Sequence, residues 1–134
     1  MKPSFFILMN HELTPHQEKE VKEVMKCRCI ITPPKKIKDI WIKITPYGMI
    51  DTEALEEITD YLSIKAREGD YVLVQGEFGA TFYIVDYCFW NGLVPVYATS
   101  ERRYNERHTE EGSIERHHIF SHVQFRKYVR WRNP

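Results

Sequence analysis

Apolar positions along this chain come either as short unbroken runs or at helical spacing, and the two patterns alternate. Ser4 to Met9 is a continuous apolar run, which is how a strand covered on both faces reads, and it stops at Asn10 and His11. Thr14 then opens TPHQ: its hydroxyl can cap a helix, Pro15 suits the first helical position and Gln17 can close a capping box. This predicts a helix to about Lys26, with Val21, Val24 and Met25 facing inward. Cys29 to Thr32 is a second short strand, halted by Pro33 and Pro34. From 35 to 50 the spacing serves two readings, because Ile37, Ile40, Trp41 and Ile44 make a helical stripe while Ile40, Ile42 and Ile44 alternate; a short helix is favoured. The next helix is capped by Asp51 or Thr52, carries Ala54, Leu55, Ile58, Tyr61 and Leu62 at helical spacing, and ends at Gly69.

The stretch from 70 to 92, DYVLVQGEFGATFYIVDYCFWNG, organises the rest. Tyr71 to Val74 reads as a strand, Gly76 and Gly79 as a turn, and about Phe78 to Trp90 as a helix. Only Thr81 and Asp86 in that helix are clearly polar, so its apolar surface wraps almost all round. One sheet cannot cover so much, and a homodimer packing helix against helix is predicted. Leu93 to Ala98 is the fourth strand, its end marked by Thr99 and Ser100. The charged segment 101–118, with a turn at 110–113, predicts a protruding hairpin. Ile119 to Tyr128 returns to alternation, with Phe120, Val123 and Phe125 as inward residues, before the basic tail VRWRNP. The sum is one α/β domain over 1–134: an open, Rossmann-like, mainly parallel sheet flanked by helices, with a C-terminal β-hairpin elaboration.

Composition narrows the partners. With 43% hydrophobic and 13% aromatic residues the chain is not disordered, and 134 residues suffice for a real core. Nineteen basic residues balance nineteen acidic ones, so no global field draws the protein onto duplex DNA or an anionic membrane, and any anion site must be local. Three cysteines, Cys27, Cys29 and Cys88, form no CxxC pair and imply reduced thiols in a cytoplasmic protein. FFILM is too short for a signal core or a membrane span.

In sheets of this type ligands bind beyond the carboxyl ends of the strands, where the strand order reverses. That rule selects three polar clusters: Asn10 and His11; Gln75, Gly76, Glu77, Phe78, Gly79, Ala80 and Thr81; and Thr99, Ser100, Glu101, Arg102 and Arg103. A strand feeding a helix through a glycine turn leaves backbone amides unpaired at the positive end of the helix dipole, a natural place for a phosphate. GEFG nevertheless fits neither the dinucleotide fingerprint nor the P-loop, whose lysine is missing. Arg102 and Arg103 offer forked donors for phosphate oxygens, and His11 adds an imidazole suited to carrying a proton. His118 and His122 are four apart, but that spacing holds a metal only on a helix and this segment reads as strand; no metal or cofactor is expected. No serine sits on a GxSxG elbow.

The segments VLVQGEFGATF, LVPVYATSER and FSHVQFRKY resemble the small stand-alone proteins of the CRISPR-associated Rossmann fold (CARF) superfamily. The likeness covers most of the chain from ILMNHELTPHQ onward, and 33–50 matches no part of it. The resemblance implies a homodimer that binds a cyclic oligoadenylate, taken here as cyclic tetra-adenylate, across its twofold axis. It implies further that a single-domain member acts as a ring nuclease, cutting this messenger of type III CRISPR immunity and ending the antiviral response. It carries over the strand end at Asn10 and His11, the turn from Gly76 to Thr81, and Thr99-Ser100-Glu101-Arg102, but no catalytic residue, because members differ in the side chains they use. Metal-independent attack by a ribose 2′-OH needs an oriented sugar, fixed phosphate donors and a proton carrier. The residues allow the Gly76 to Gly79 amides and Arg102 or Arg103 for phosphate, and Asn10, Thr81 and Ser100 for riboses or adenines. They allow His11 or His122 as general acid or base, Glu77 as another base, and 101–118 as a lid. A sensor or sponge that holds the messenger without cutting it would use the same donors.

Overall fold

The computed structural model describes residues 1–108 and 110–132, with the side chains of 103–108 and 115–118 outside that description. Strand β1 (Ser4–Leu8) is buried along its whole length, as its unbroken apolar run predicts. Helix α1 (Pro15–Lys19) starts at the expected cap: Gln17 N–H donates to Thr14 Oγ1 at 3.2 Å and Thr14 N–H donates to Gln17 Oε1 at 3.0 Å. It then passes into a π-helical turn over Glu20–Val24, in which Met25 N–H bonds Glu20 C=O at 2.9 Å. The wider winding turns Val24 outward, 74% exposed, so of the three residues expected inside Val21 is buried, Met25 half-buried and Val24 not buried at all.

Strand β2 (Cys29–Ile31) leads to helix α2 (Lys35–Ile42), which settles the ambiguous stretch: Ile37 and Trp41 are buried while Ile40 and Ile44 pack against the same core. Helix α3 (Thr52–Lys65) is capped by Asp51, whose Oδ1 accepts Ala54 N–H at 3.1 Å. It stops at Lys65, before Gly69, which instead turns the chain at φ +89° into strand β3 (Tyr71–Val74). Helix α4 (Phe78–Trp90) has the predicted bounds.

Two expectations fail beyond α4. The predicted hairpin is there, but strand β4 (Val94–His108) runs on past Ala98 and strand β5 (Ile114–Lys127) begins earlier than Ile119, so 101–108 and 114–118 make a long antiparallel ribbon continuous with the sheet. A bulge lies between Thr99/Ser100, where Thr99 faces Gln124 but Ser100 faces His122, leaving Val123 as the extra residue of β5. The bulge takes Val123 out of the alternation, so Phe125 is buried as predicted and Val123 is exposed, while Phe120, opposite Arg102 on the ribbon, is 69% exposed.

The strands are ordered β2-β1-β3-β4-β5, parallel through β4 and antiparallel at β5. Alternate strand residues feed two cores. Phe6, Leu8, Val72 and Val74 meet α2, α3 and α4 on one face, and Phe5, Ile7, Leu73, Val96 and Phe125 meet Val21 and Cys27 on the other. Among the described residues no helix is long and apolar enough to cross a membrane.

Candidate functional site

Strand order turns around between β1 and β3, since the chain builds β2 on one side of β1 and then β3 and β4 on the other. The ends of β1, β3 and β4 therefore share one edge, and Gln75 ties them together. Its N–H donates to Leu8 C=O at 2.9 Å, its Oε1 accepts Ala98 N–H at 2.6 Å, and its C=O accepts Trp41 Nε1–H at 2.9 Å. The amide oxygen expected to meet a ligand is thus committed to the scaffold.

Gly76 is a steric necessity, because a Cβ there would lie 2.8 Å from Trp41 Nε1. At Gly79 a Cβ would approach Ile50 Cδ1 to 3.1 Å. Glu77 caps α4: its Oε1 accepts Ala80 N–H at 2.7 Å, and its C=O accepts Thr81 N–H at 2.9 Å. A carboxylate of the chain itself sits where a phosphate is expected, leaving the first-turn amides of Phe78 and Gly79 ahead of the first intrahelical bond. Ala80 is fully buried in the core with its amide taken, so it presents no side chain to a ligand. Thr81 Oγ1 is buried without any hydrogen-bond partner. Phe78 is 93% exposed.

Asn10 and His11 lie exposed in the bend between β1 and the Thr14 cap. The third cluster is not a loop but part of β4, where successive residues take opposite faces. Thr99 spends its hydroxyl on Gln124, donating to C=O at 2.9 Å and accepting N–H at 3.3 Å. Ser100, Glu101 and Arg102 are exposed, with the Arg102 guanidinium 5.9 Å from the Phe120 ring centroid. The side chain of Arg103 and those of His117 and His118 fall outside the described residues.

His122 is enclosed by α1 and the turn after it. Its Nε2 lies 2.6 Å from Glu20 Oε1 and its Nδ1 3.3 Å from Gln17 Nε2, while Glu20 Oε2 accepts Phe125 N–H at 2.7 Å. Because Gln17 Oε1 is held by the capping box, its amino group must face His122, so Nδ1 accepts and Nε2–H donates to Glu20. Both ring nitrogens are used internally, which suits a buried strut better than a proton carrier. Sequence spacing gave no signal for Glu20 or Gln17 here, as each is more than a hundred residues from His122. Tyr128 was also missed: it donates its hydroxyl to Val74 C=O at 2.6 Å beside the glycine turn, with burial holding the phenol pKa above its usual value.

Two of the three thiols are buried and held protonated. Burial pushes Cys88 up to about 12, and burial with the nearby Asp70 and Cys29 pushes Cys27 up to about 11. Among the described residues no three His, Cys, Asp or Glu gather as a metal site.

The family described as Uncharacterized protein MJ1673 family matches residues 3–126, from just before β1 to the penultimate residue of β5. The protein named Uncharacterized protein MJ1673, from Methanocaldococcus jannaschii, is 33% identical over 126 residues, covering 94% of this chain and 97% of that one. No solved structure matches. With every strand residue but Lys127 inside the matched span and a relative similar over nearly the whole length of both chains, the chain belongs to the MJ1673 family.

Proposed function

We propose that this protein is a homodimeric, metal-independent ring nuclease that binds a cyclic oligoadenylate at the carboxyl edge of its sheet and cuts it, ending type III CRISPR signalling. The observation that supports the reading is the turnaround of strand order between β1 and β3, which gathers Asn10, His11, the glycine turn and β4 at one edge. Homodimer formation is supported by the outer face of α4, where Phe78, Phe82 and Trp90 are exposed.

In the proposed reaction the ribose 2′-OH attacks the adjacent phosphorus, the bond to the 5′ oxygen breaks, and a 2′,3′-cyclic phosphate and a 5′-OH result. The 2′ proton goes to a base and the 5′ oxygen takes one from an acid. His11, exposed at the end of β1, is the side chain we assign to this exchange, since His122 is held on both nitrogens. Arg102 or Arg103 and the first-turn amides of α4 hold phosphate, and Asn10 and Ser100 hold riboses. Glu77, occupied as a cap, is set aside as a base.

The engagement of His122 and Glu77 within the fold also favours a second reading, a sponge that binds the ring without turnover. Incubating the protein with cyclic tetra-adenylate under EDTA and separating products by chromatography decides between them. Linear fragments support the nuclease, intact bound ring supports the sponge, and no binding removes both. His11→Ala is expected to slow cleavage at least ~10²-fold with binding retained; unchanged turnover removes its role.

A further inference from the structure

Across the outer face of α4 lies a groove of about 680 Å³, closed on its other side by the chain after β5. Its volume falls within the range of small-molecule sites. Its walls are aromatic and cationic together. Arg130 places its guanidinium 5.0 Å from the Phe89 ring centroid and 5.1 Å from that of Trp90, and Arg132 lies 5.7 Å from that of Trp131. Phe82 (76% exposed) and Trp131 (89% exposed) leave broad ring surface in water. Flat rings flanked by guanidinium planes are the chemistry that holds unpaired nucleobases, the rings by stacking and the charges by attracting phosphate.

Two further groups separate this groove from a plain oily face. Thr81 lines it and carries the buried hydroxyl that lacks a partner. A step of about 120° between staggered χ1 wells carries that hydroxyl to the place now held by the methyl or by the Cβ hydrogen, so its direction is adjustable without moving the helix. Asp86 lines the same wall and can accept the exocyclic amino group of a base. At the β3 end the groove reaches Phe78 and Tyr128, and Tyr128 is bonded to Val74 beside the glycine turn. A nucleotide with its phosphate at that turn would therefore have the groove within reach of its base.

We propose that the groove between α4 and Tyr128–Arg132 is a seat for an adenine base, stacked on Phe82 and Trp131 and read by Thr81 and Asp86. The assignment deepens the ring reading and rests on it for the identity of the nucleotide. It also gives Val129 to Arg132 a role, although these residues lie beyond the span that the family matches.

Calorimetry with cyclic tetra-adenylate on the full chain, alongside sedimentation for mass, tests the seat with Trp131→Ala, Phe82→Ala and Thr81→Val. The expected result is a Kd raised ~10-fold or more by each aromatic loss and severalfold by Thr81→Val, at unchanged mass. Equal affinity in all three variants overturns the seat and leaves the ring reading standing. Loss of binding that accompanies loss of dimer mass assigns the groove to subunit contact and also overturns it. If the wild type does not bind the ring, that reading fails, and adenosine 5′-monophosphate decides the seat. Saturable binding abolished by Trp131→Ala supports it, and absence of binding overturns it.

Discussion

The two faces of the sheet are finished in different ways. On the α1 face, Val21, Leu73, Val96 and Phe125 are sealed by a polar chain in which Thr14 and Gln17 cap each other, Gln17 meets His122, His122 meets Glu20, and Glu20 takes the amide of Phe125. Each polar atom in that chain has its partner within one subunit. On the α4 face the inner stripe of Ala80, Ile84 and Cys88 is fully buried, yet the outer stripe lies open and a threonine hydroxyl beneath it is unpartnered. The first face is closed within the monomer, while the second leaves its outer aromatic stripe uncovered. Stability should therefore depend on the interior and on the α1 network, and association on the outside of α4.

The largest change that would sharpen this contrast is Trp41→Ala, which empties the fully buried indole site under the glycine turn and should cost about 3–5 kcal/mol in urea unfolding. Glu20→Ala comes next. It strips partners from His122 and from the amide of Phe125, with an expected loss of about 3 kcal/mol; a loss under about 0.5 kcal/mol would break the claim that the α1 network seals its face. Alkali should act through the buried thiols. Both are neutral in the fold, at about 12 for Cys88 and about 11 for Cys27 against an ordinary 9, whereas the unfolded thiols ionise above about 9. That contribution is thus whole below pH 9 and lost as pH rises from 9 toward 12, on the order of 2 kcal/mol per thiol by pH 10.5. Cys88→Ala should flatten the fall in urea midpoint between pH 8 and pH 10.5. Smallest in stability is Phe78→Ser, at a position 93% exposed, expected within about 0.5 kcal/mol of wild type, yet with sedimentation moving from dimer to monomer. A monomeric wild type would dissolve the contrast from its other side.

Most of the architecture could be read from the chain because its signals are local. Thr14, Pro15 and Gln17 mark one helix start, Asp51 another, and unbroken apolar runs mark the buried strands. The π turn was not legible, as nothing in EVKEV distinguishes bonding five residues back from bonding four, and Val24 was misplaced for that reason. The bulge at Val123 was equally silent and misassigned that residue, and Phe120 was misplaced because the ribbon carries it beyond the core. At the candidate site the strand-end rule picked out residues that the fold does bring to one edge of the sheet. It could not show that Gln75, Glu77 and Thr99 were spending their polar atoms on the fold, because their partners Ala98, Ala80 and Gln124 are known only once the chain is folded.

The contact between Gly76 and Trp41 reaches beyond this one chain. With 2.8 Å between a hypothetical methyl and the indole nitrogen, positions 41 and 76 share one fixed volume. A family member that acquires alanine or serine at the turn should also carry a smaller ring or an aliphatic group at the matching place in α2. In a set of sequences the two sites would then change as a couple, a tie visible without any coordinates.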